Sequence, residues 1–167
     1  MTMTAYHTED YTDSSGQRFR IEYHYDHDMG PPWEACDGHG FVSDWESRDK
    51  QPGELILKED SRGNRRFYDF QASVRKARDE DWNCASVLPK RERGQAIVDA
   101  VRADYKYLRD WCNDEWHYMG IAVFPLTVDG DELRSKEQSA WGIESCADPA
   151  WIQETTEYLL CAVGAEL

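Results

Sequence analysis

RFRIEYHYD, residues 18–26, alternates without a break. Phe19, Ile21, Tyr23 and Tyr25 point one way; Arg18, Arg20, Glu22, His24 and Asp26 point the other. A period of two, carried by aromatic and β-branched residues, predicts a half-buried strand with its polar side in solvent. Such a strand needs partners, and the chain after it supplies candidates. ELILKED and RRFYDF, within residues 54–70, read as a hairpin turned by Ser61-Arg62-Gly63-Asn64. HYMGIAVFPLTV, at about 117–128, reads as a further strand in which Pro125 marks an edge or a bulge. VDGDE turns the chain at 128–132, and SAWGIES, 139–145, reads as a short strand.

Helices lie between and after these strands. Asp69 is placed to cap a helix that ends near Trp82, with Phe70, Val74 and Ala77 on its apolar side. A longer helix, about 91–115, repeats Ile97, Val101, Tyr105, Leu108 and Cys112 on a 3.6-residue period. Its other face carries Asp99, Arg102, Lys106, Asp110 and Asp114. Asp148 and Pro149 open a C-terminal helix, 149–162, whose expected buried side is Trp151, Ile152, Thr155, Tyr158, Leu159 and Ala162. Hairpins beside helices predict an α+β fold: one domain over 18–167, an antiparallel or mixed sheet of about five strands, and about three helices. The polar segment 1–17 lacks a basic-then-apolar leader pattern and is expected to be mobile. No run approaches the roughly 18 apolar residues of a membrane helix.

The chain has 167 residues, enough for a sizeable core without a disulfide or metal staple. Its five cysteines are scattered, with no Cys-x-x-Cys, which points to reduced thiols and a cytosol rather than a disulfide framework. The net charge is −14, and it is uneven: −8 over residues 1–49, +3 over 50–95 and −9 over 96–167. Such a protein is repelled by phosphate backbones, so direct nucleic-acid binding is disfavoured. It can compete instead for a basic surface that binds nucleic acid. The candidate contact residues are Asp26, Asp28, Glu34, Asp37, Asp44 and Glu46, then Asp104, Asp110, Asp114 and Glu115 near the end of the long helix, and Asp129, Asp131 and Glu132 in the late turn. The basic insert, Arg62, Arg65, Arg66, Arg75, Lys76, Arg78, Lys90, Arg91 and Arg93, can neutralise acids of its own chain, dock a phosphate, or meet an acidic surface of a second copy in a homodimer.

Residues 27–53 form a long connection rich in glycine and proline, with Trp33, Phe41 and Trp45 as expected pins. With the strand before it, this segment holds His24-x2-His27 and Cys36-x2-His39, two close pairs of ligand types that zinc takes. The interval between the pairs is shorter than in a zinc finger, so zinc is a minority expectation against a loop packed by tryptophan. Asp37-Gly38-His39-Gly40 also admits a general base oriented by Asp37. No GxSxG, HExxH or glycine-rich phosphate turn occurs, and the expectation is a non-enzyme.

DMGPPWEACDGHGFVSDW, RRFYDFQASVRKAR and AWGIES resemble, in the same order, segments of small proteins encoded by bacteriophages and prophages. The resemblance spans about residues 20–160. It implies a phage accessory protein acting in the cytoplasm of an infected bacterium, and it carries no catalytic residues. By analogy with acidic anti-CRISPR and anti-restriction proteins, it suggests an inhibitor that occupies a basic nucleic-acid-binding surface of a host defence complex. A His/Cys metal protein, or a phage structural or assembly protein, are the alternatives.

Overall fold

The alternation at 18–25 forms the strand it predicts, Arg18–Tyr25, and its partners come from both ends of the chain. A computed structural model describes residues 4–167. In chain order the described residues form β1 (His7–Thr12), β2 (Arg18–Tyr25), the single turn α1 (Pro32–Ala35), β3 (Phe41–Val42), β4 (Glu54–Glu59), β5 (Arg65–Asp69), α2 (Phe70–Asp79) and α3 (Lys90–Cys112), then β6 (Tyr118–Pro125), β7 (Gln138–Glu144) and α4 (Pro149–Ala162). Short 3₁₀ turns lie at Trp82–Val87 and Arg134–Lys136. The fold is α+β, with seven strands in two antiparallel sheets. Where the sequence suggested one sheet of about five strands, the strands form two sheets, and by its contacts the chain divides into two compact units. One comprises the residues up to Met29 together with Trp116–Leu167; the other is Gly30–Glu115.

The first unit is a sheet in the order β1-β2-β6-β7, with α4 on one face. Phe19 and Ile21 of β2 meet Met119, Ile121 and Val123 of β6, Ile143 of β7, and Leu159 and Leu160 of α4. β6 is buried along its whole length because it is central. Pro125 is its last residue rather than an edge position, and the irregularity lies elsewhere, between Met119 and Ile121 opposite β7. Of the segment 1–17, which the sequence left without structure, residues 1–3 lie outside the described residues and 7–12 form β1, which pairs with β2 from His7↔Tyr23 to Thr12↔Arg18. Its turn is tied by the Asp13 carboxylate, which accepts from the N–H groups of Ser15 and Gln17 at 2.9 Å each. Nearly every β1 side chain is exposed, so backbone hydrogen bonds rather than apolar alternation hold it.

Two expected faces are corrected. Glu22 and His24, placed in solvent by the alternation, are only 7% and 5% exposed. On α4 the inward side is Ile152, Thr156, Leu159 and Leu160, with Val163 following at the C-cap, while Trp151 and Tyr158 are 48% and 73% exposed. Asp148 caps this helix as expected, accepting from the Ala150 N–H at 2.9 Å.

The second unit is a sheet in the order β3-β5-β4, packed with α2 and α3. Asp60 organises the β4–β5 turn by accepting from the N–H groups of Arg62 and Asn64. Asp69 caps α2, accepting from Ala72 N–H at 2.8 Å. Ile97, Val101, Leu108 and Cys112 of α3 face Leu57, Tyr68 and Ala77. The long connection is partly structured, through α1 and β3. Of its three expected pins, Trp33 packs edge-on against Trp111, with ring centroids 5.4 Å apart, whereas Phe41 and Trp45 are exposed.

Candidate functional site

Three of the four proposed zinc ligands, His24, His27 and His39, have ring partners of their own, and Cys36 is a free, exposed thiol. His24 lies on β2, where its Nε2 is 3.0 Å from Glu22 Oε2 and its ring lies 5.8 Å from that of Trp141. Glu22 is held in turn by Arg134 at 2.7 Å. Burial works against the charge on Arg134, but Glu22, Glu132 and Glu137 overcome it and hold the guanidinium well above its ordinary value. His27 is exposed and stacks on Tyr25, and Cys36 is exposed after α1. Among the described residues no three His, Cys, Asp or Glu are grouped so as to hold a metal ion.

His39 has the most organised surroundings, and its partner is not Asp37. Its Nδ1 is 2.7 Å from Oδ1 of Asp104, which comes from α3, 65 residues along the chain. Asp104 Oδ2 accepts from Gly40 N–H at 2.8 Å and from the Tyr68 hydroxyl at 2.7 Å. The His39 ring lies nearly parallel to that of Tyr107, and Lys76 donates to the His39 carbonyl at 2.7 Å. Burial, and after it the neighbouring Asp104 carboxylate, push the Tyr68 hydroxyl far above its ordinary value, against an opposing hydrogen bond with Ser73. In the neutral tautomer that donates Nδ1–H to this carboxylate, Nε2 is the acceptor. The arrangement fixes the loop to the helix, and chemically it is a carboxylate-oriented imidazole.

Asp104 was expected at the surface, among the acids of a binding face. Its side chain is only 9% exposed. The sequence carried a signal for this: Ile97, Val101, Asp104 and Leu108 follow one helical stripe at spacings of 4, 3 and 4, which places an acid on the apolar face.

The remaining acids fall into two groups. Asp110 is clasped by Lys106 and Arg109, which hold its carboxyl below the usual range, and Glu46 is bound by Arg48. Glu132 bridges Arg20 and Arg134, and Asp26 accepts from the N–H groups of Asp28 and Gly142. By contrast, Asp28, Glu34, Asp37, Asp44, Asp129, Asp131 and Glu115 are exposed. Asp114 is exposed too, with Lys58 at 3.2 Å. At the acidic end of α3 the helix's own bases therefore neutralise Asp110 alone, while Glu115 stays exposed, and most of the net charge lies elsewhere. The unit containing β2 has fifteen acidic residues against four basic ones, a net of −11, while Gly30–Glu115 has eighteen against fifteen, a net of −3.

The chain matches no protein-family model, no curated protein and no solved structure. Among the described residues no helix is long and apolar enough to cross a membrane.

Proposed function

We propose that this chain is a phage-encoded acidic binding protein that inhibits a host nucleic-acid-processing defence complex, a CRISPR effector or a restriction system. It would act in the cytoplasm of the infected cell by covering a basic nucleic-acid-binding surface. The observation that carries this reading is the uneven charge: a net of −11 concentrated in the β1-β2-β6-β7 unit. All three arginines of that unit are already paired with its own carboxylates. Few internal cations are left to mask Asp28, Asp129 and Asp131, which are exposed. A dense anionic surface speeds docking on a basic partner and sets specificity more than it sets affinity.

The test is capture by the tagged protein from a bacterial lysate carrying defence systems, washed at low and at high salt, followed by an assay of the captured complex on its nucleic acid. One nucleic-acid-processing complex, retained at low salt, released at high salt and inhibited by the protein, is the expected result. The variant Asp28→Lys/Asp129→Lys/Asp131→Lys should bind it more weakly. A captured complex that is bound equally well by this variant and is not inhibited removes the reading.

The carboxylate-held His39 favours a second reading, a His-centred zinc or general-base site at Asp37-Gly38-His39-Gly40. Less than about 0.2 equivalents of zinc in protein purified without chelator would end its metal form, a structural zinc site being fully occupied when it supports a fold.

A further inference from the structure

The β4–β5 pair has a shift in register between Ile56 and Lys58, with Leu57 as the extra residue. Beyond it, Glu59 stands opposite Arg65 and Lys58 stands opposite Arg66. Residues directly opposite in an antiparallel pair share a face and interact, favourably for opposite charges and unfavourably for like ones. Glu59 and Arg65 obey this rule with an ion pair at 2.8 Å. Lys58 and Arg66 break it, placing two cations side by side on the other face.

Among the described residues nothing fully compensates this pair. Lys58 has a single carboxylate partner, Asp114, whose side chain is 89% exposed. Arg66 has no carboxylate or carbonyl partner among the described residues. Its guanidinium carbon lies 4.9 Å from the ring centre of Trp33 and 5.2 Å from that of Trp45, and its Nε is buried without a hydrogen bond. A buried donor left unsatisfied is costly, and the planar donor set of an arginine suits a tetrahedral oxyanion. Cys112 of α3 reports the same local field. Burial pushes its thiol up to about 11, while Arg66 and Lys58 pull against that rise.

We propose that Lys58 and Arg66 form a binding site for a phosphate group, walled by Trp33 and Trp45. Arg66 supplies the planar fork and Lys58 the mobile point charge, a division of labour matched to a dianion. The indole walls keep water from the guanidinium and strengthen its attraction for the anion. Phosphate displaces Asp114 from Lys58, and the exposed part of Trp45 offers a plane for the organic part of a phosphate ester. The site lies in the Gly30–Glu115 unit and does not depend on the acidic-surface reading.

Trp33 and Trp45 supply the signal for the test. The full chain is titrated at low ionic strength with inorganic phosphate, and separately with adenosine monophosphate, following tryptophan fluorescence and thermal midpoint. Chloride and acetate at matched ionic strength are the controls. The expected result is a saturable change and a raised midpoint with phosphate and not with the controls. Arg66→Gln should weaken binding by about 10- to 100-fold, as expected for loss of charge-assisted hydrogen bonds. Lys58→Gln should weaken it less, and Glu59→Gln should leave it unchanged. Tighter binding of adenosine monophosphate would add Trp45 as a stacking surface; equal binding would assign the phosphate alone. No saturable change with phosphate, an equal response to acetate, or undiminished binding by Arg66→Gln overturns the proposal. Should Arg66→Gln fail to fold, undiminished binding by Lys58→Gln overturns it instead.

Discussion

Gly40 occupies a position where no side chain fits. A β-carbon there would lie 2.3 Å from both the Tyr68 hydroxyl and Ser73 Oγ, and both are buried partners of the same network. Gly40→Ala should cost about 2 kcal/mol, in the range of overpacked cores, and should lower the urea midpoint. Asp104→Asn should cost about 3 kcal/mol, because the carboxylate organises three donors at low exposure and an amide offers one acceptor oxygen. The same denaturation series checks both, and an Asp104→Asn midpoint equal to the parent would show that the clasp carries no stability. At this scale the sequence was legible only in part. His39 and Gly40 stood out as unusual, yet Asp37 is the nearer acid in sequence and Asp104 became the partner only when α3 packed against β5. The cross-strand pairing of Lys58 with Arg66 was hidden because one extra residue, Leu57, sets the register, and composition does not mark a bulge.

Elements with local signals matched their readings, and those defined by neighbours did not. The caps Asp69 and Asp148, the turn at 61–64 and the α3 stripe are local chemistry and appear as read, with Asp60 added as the turn's acceptor. β1 carries no apolar alternation, since it is held by its ladder to β2. α4 offers two stripes of similar hydrophobicity, and the sheet selects the one with Ile152, Leu159 and Leu160 over the one with Trp151 and Tyr158. β4 is an edge strand of its sheet, and α3 blocks its free carbonyls: the Tyr105 hydroxyl donates to Ile56 O and the Asn113 amide to Leu57 O, each at 2.8 Å. Covered edges resist pairing with other chains. Tyr105→Phe/Asn113→Ala should therefore associate more readily than the parent at equal concentration. Light scattering over time checks this, and an unchanged signal would mean that these two bonds do not guard the edge.

At the scale of the whole molecule, charge and protonation govern stability. Burial lowers the pKa of His117 from its ordinary 6.5, among the rings of Tyr6 and Tyr25. The unfolded chain then binds a proton that the folded chain refuses, so this contribution is fully present above about pH 6.5 and is lost as pH falls toward the folded value. The carboxylates of Asp10 and Glu132 are held below their ordinary values, first by hydrogen bonds from Arg20 and Arg134 respectively. Their contribution is present above the ordinary carboxylate value and disappears as pH falls through the lowered ones. Stability should thus decline in two stages, one below about pH 6.5 and one below about pH 4. Urea midpoints across pH 3–8 check this, and His117→Phe should flatten the first stage and leave the second.

The division into units also orders events in time. Residues 30–115 form one unit from a single continuous stretch, while the sheet outside it joins β2 to β6 across that stretch. On a ribosome, β2 has only β1 beside it until some ninety further residues have been made, on the count from Tyr25 to Tyr118. The inserted stretch has by then emerged whole, and its β4–β5 hairpin pairs strands that are near neighbours in the chain. Local contacts close sooner than distant ones. The nascent strand therefore carries its apolar side, Phe19 and Ile21, uncovered for longest, in a segment whose excess of acids is the kind of composition that favours solubility.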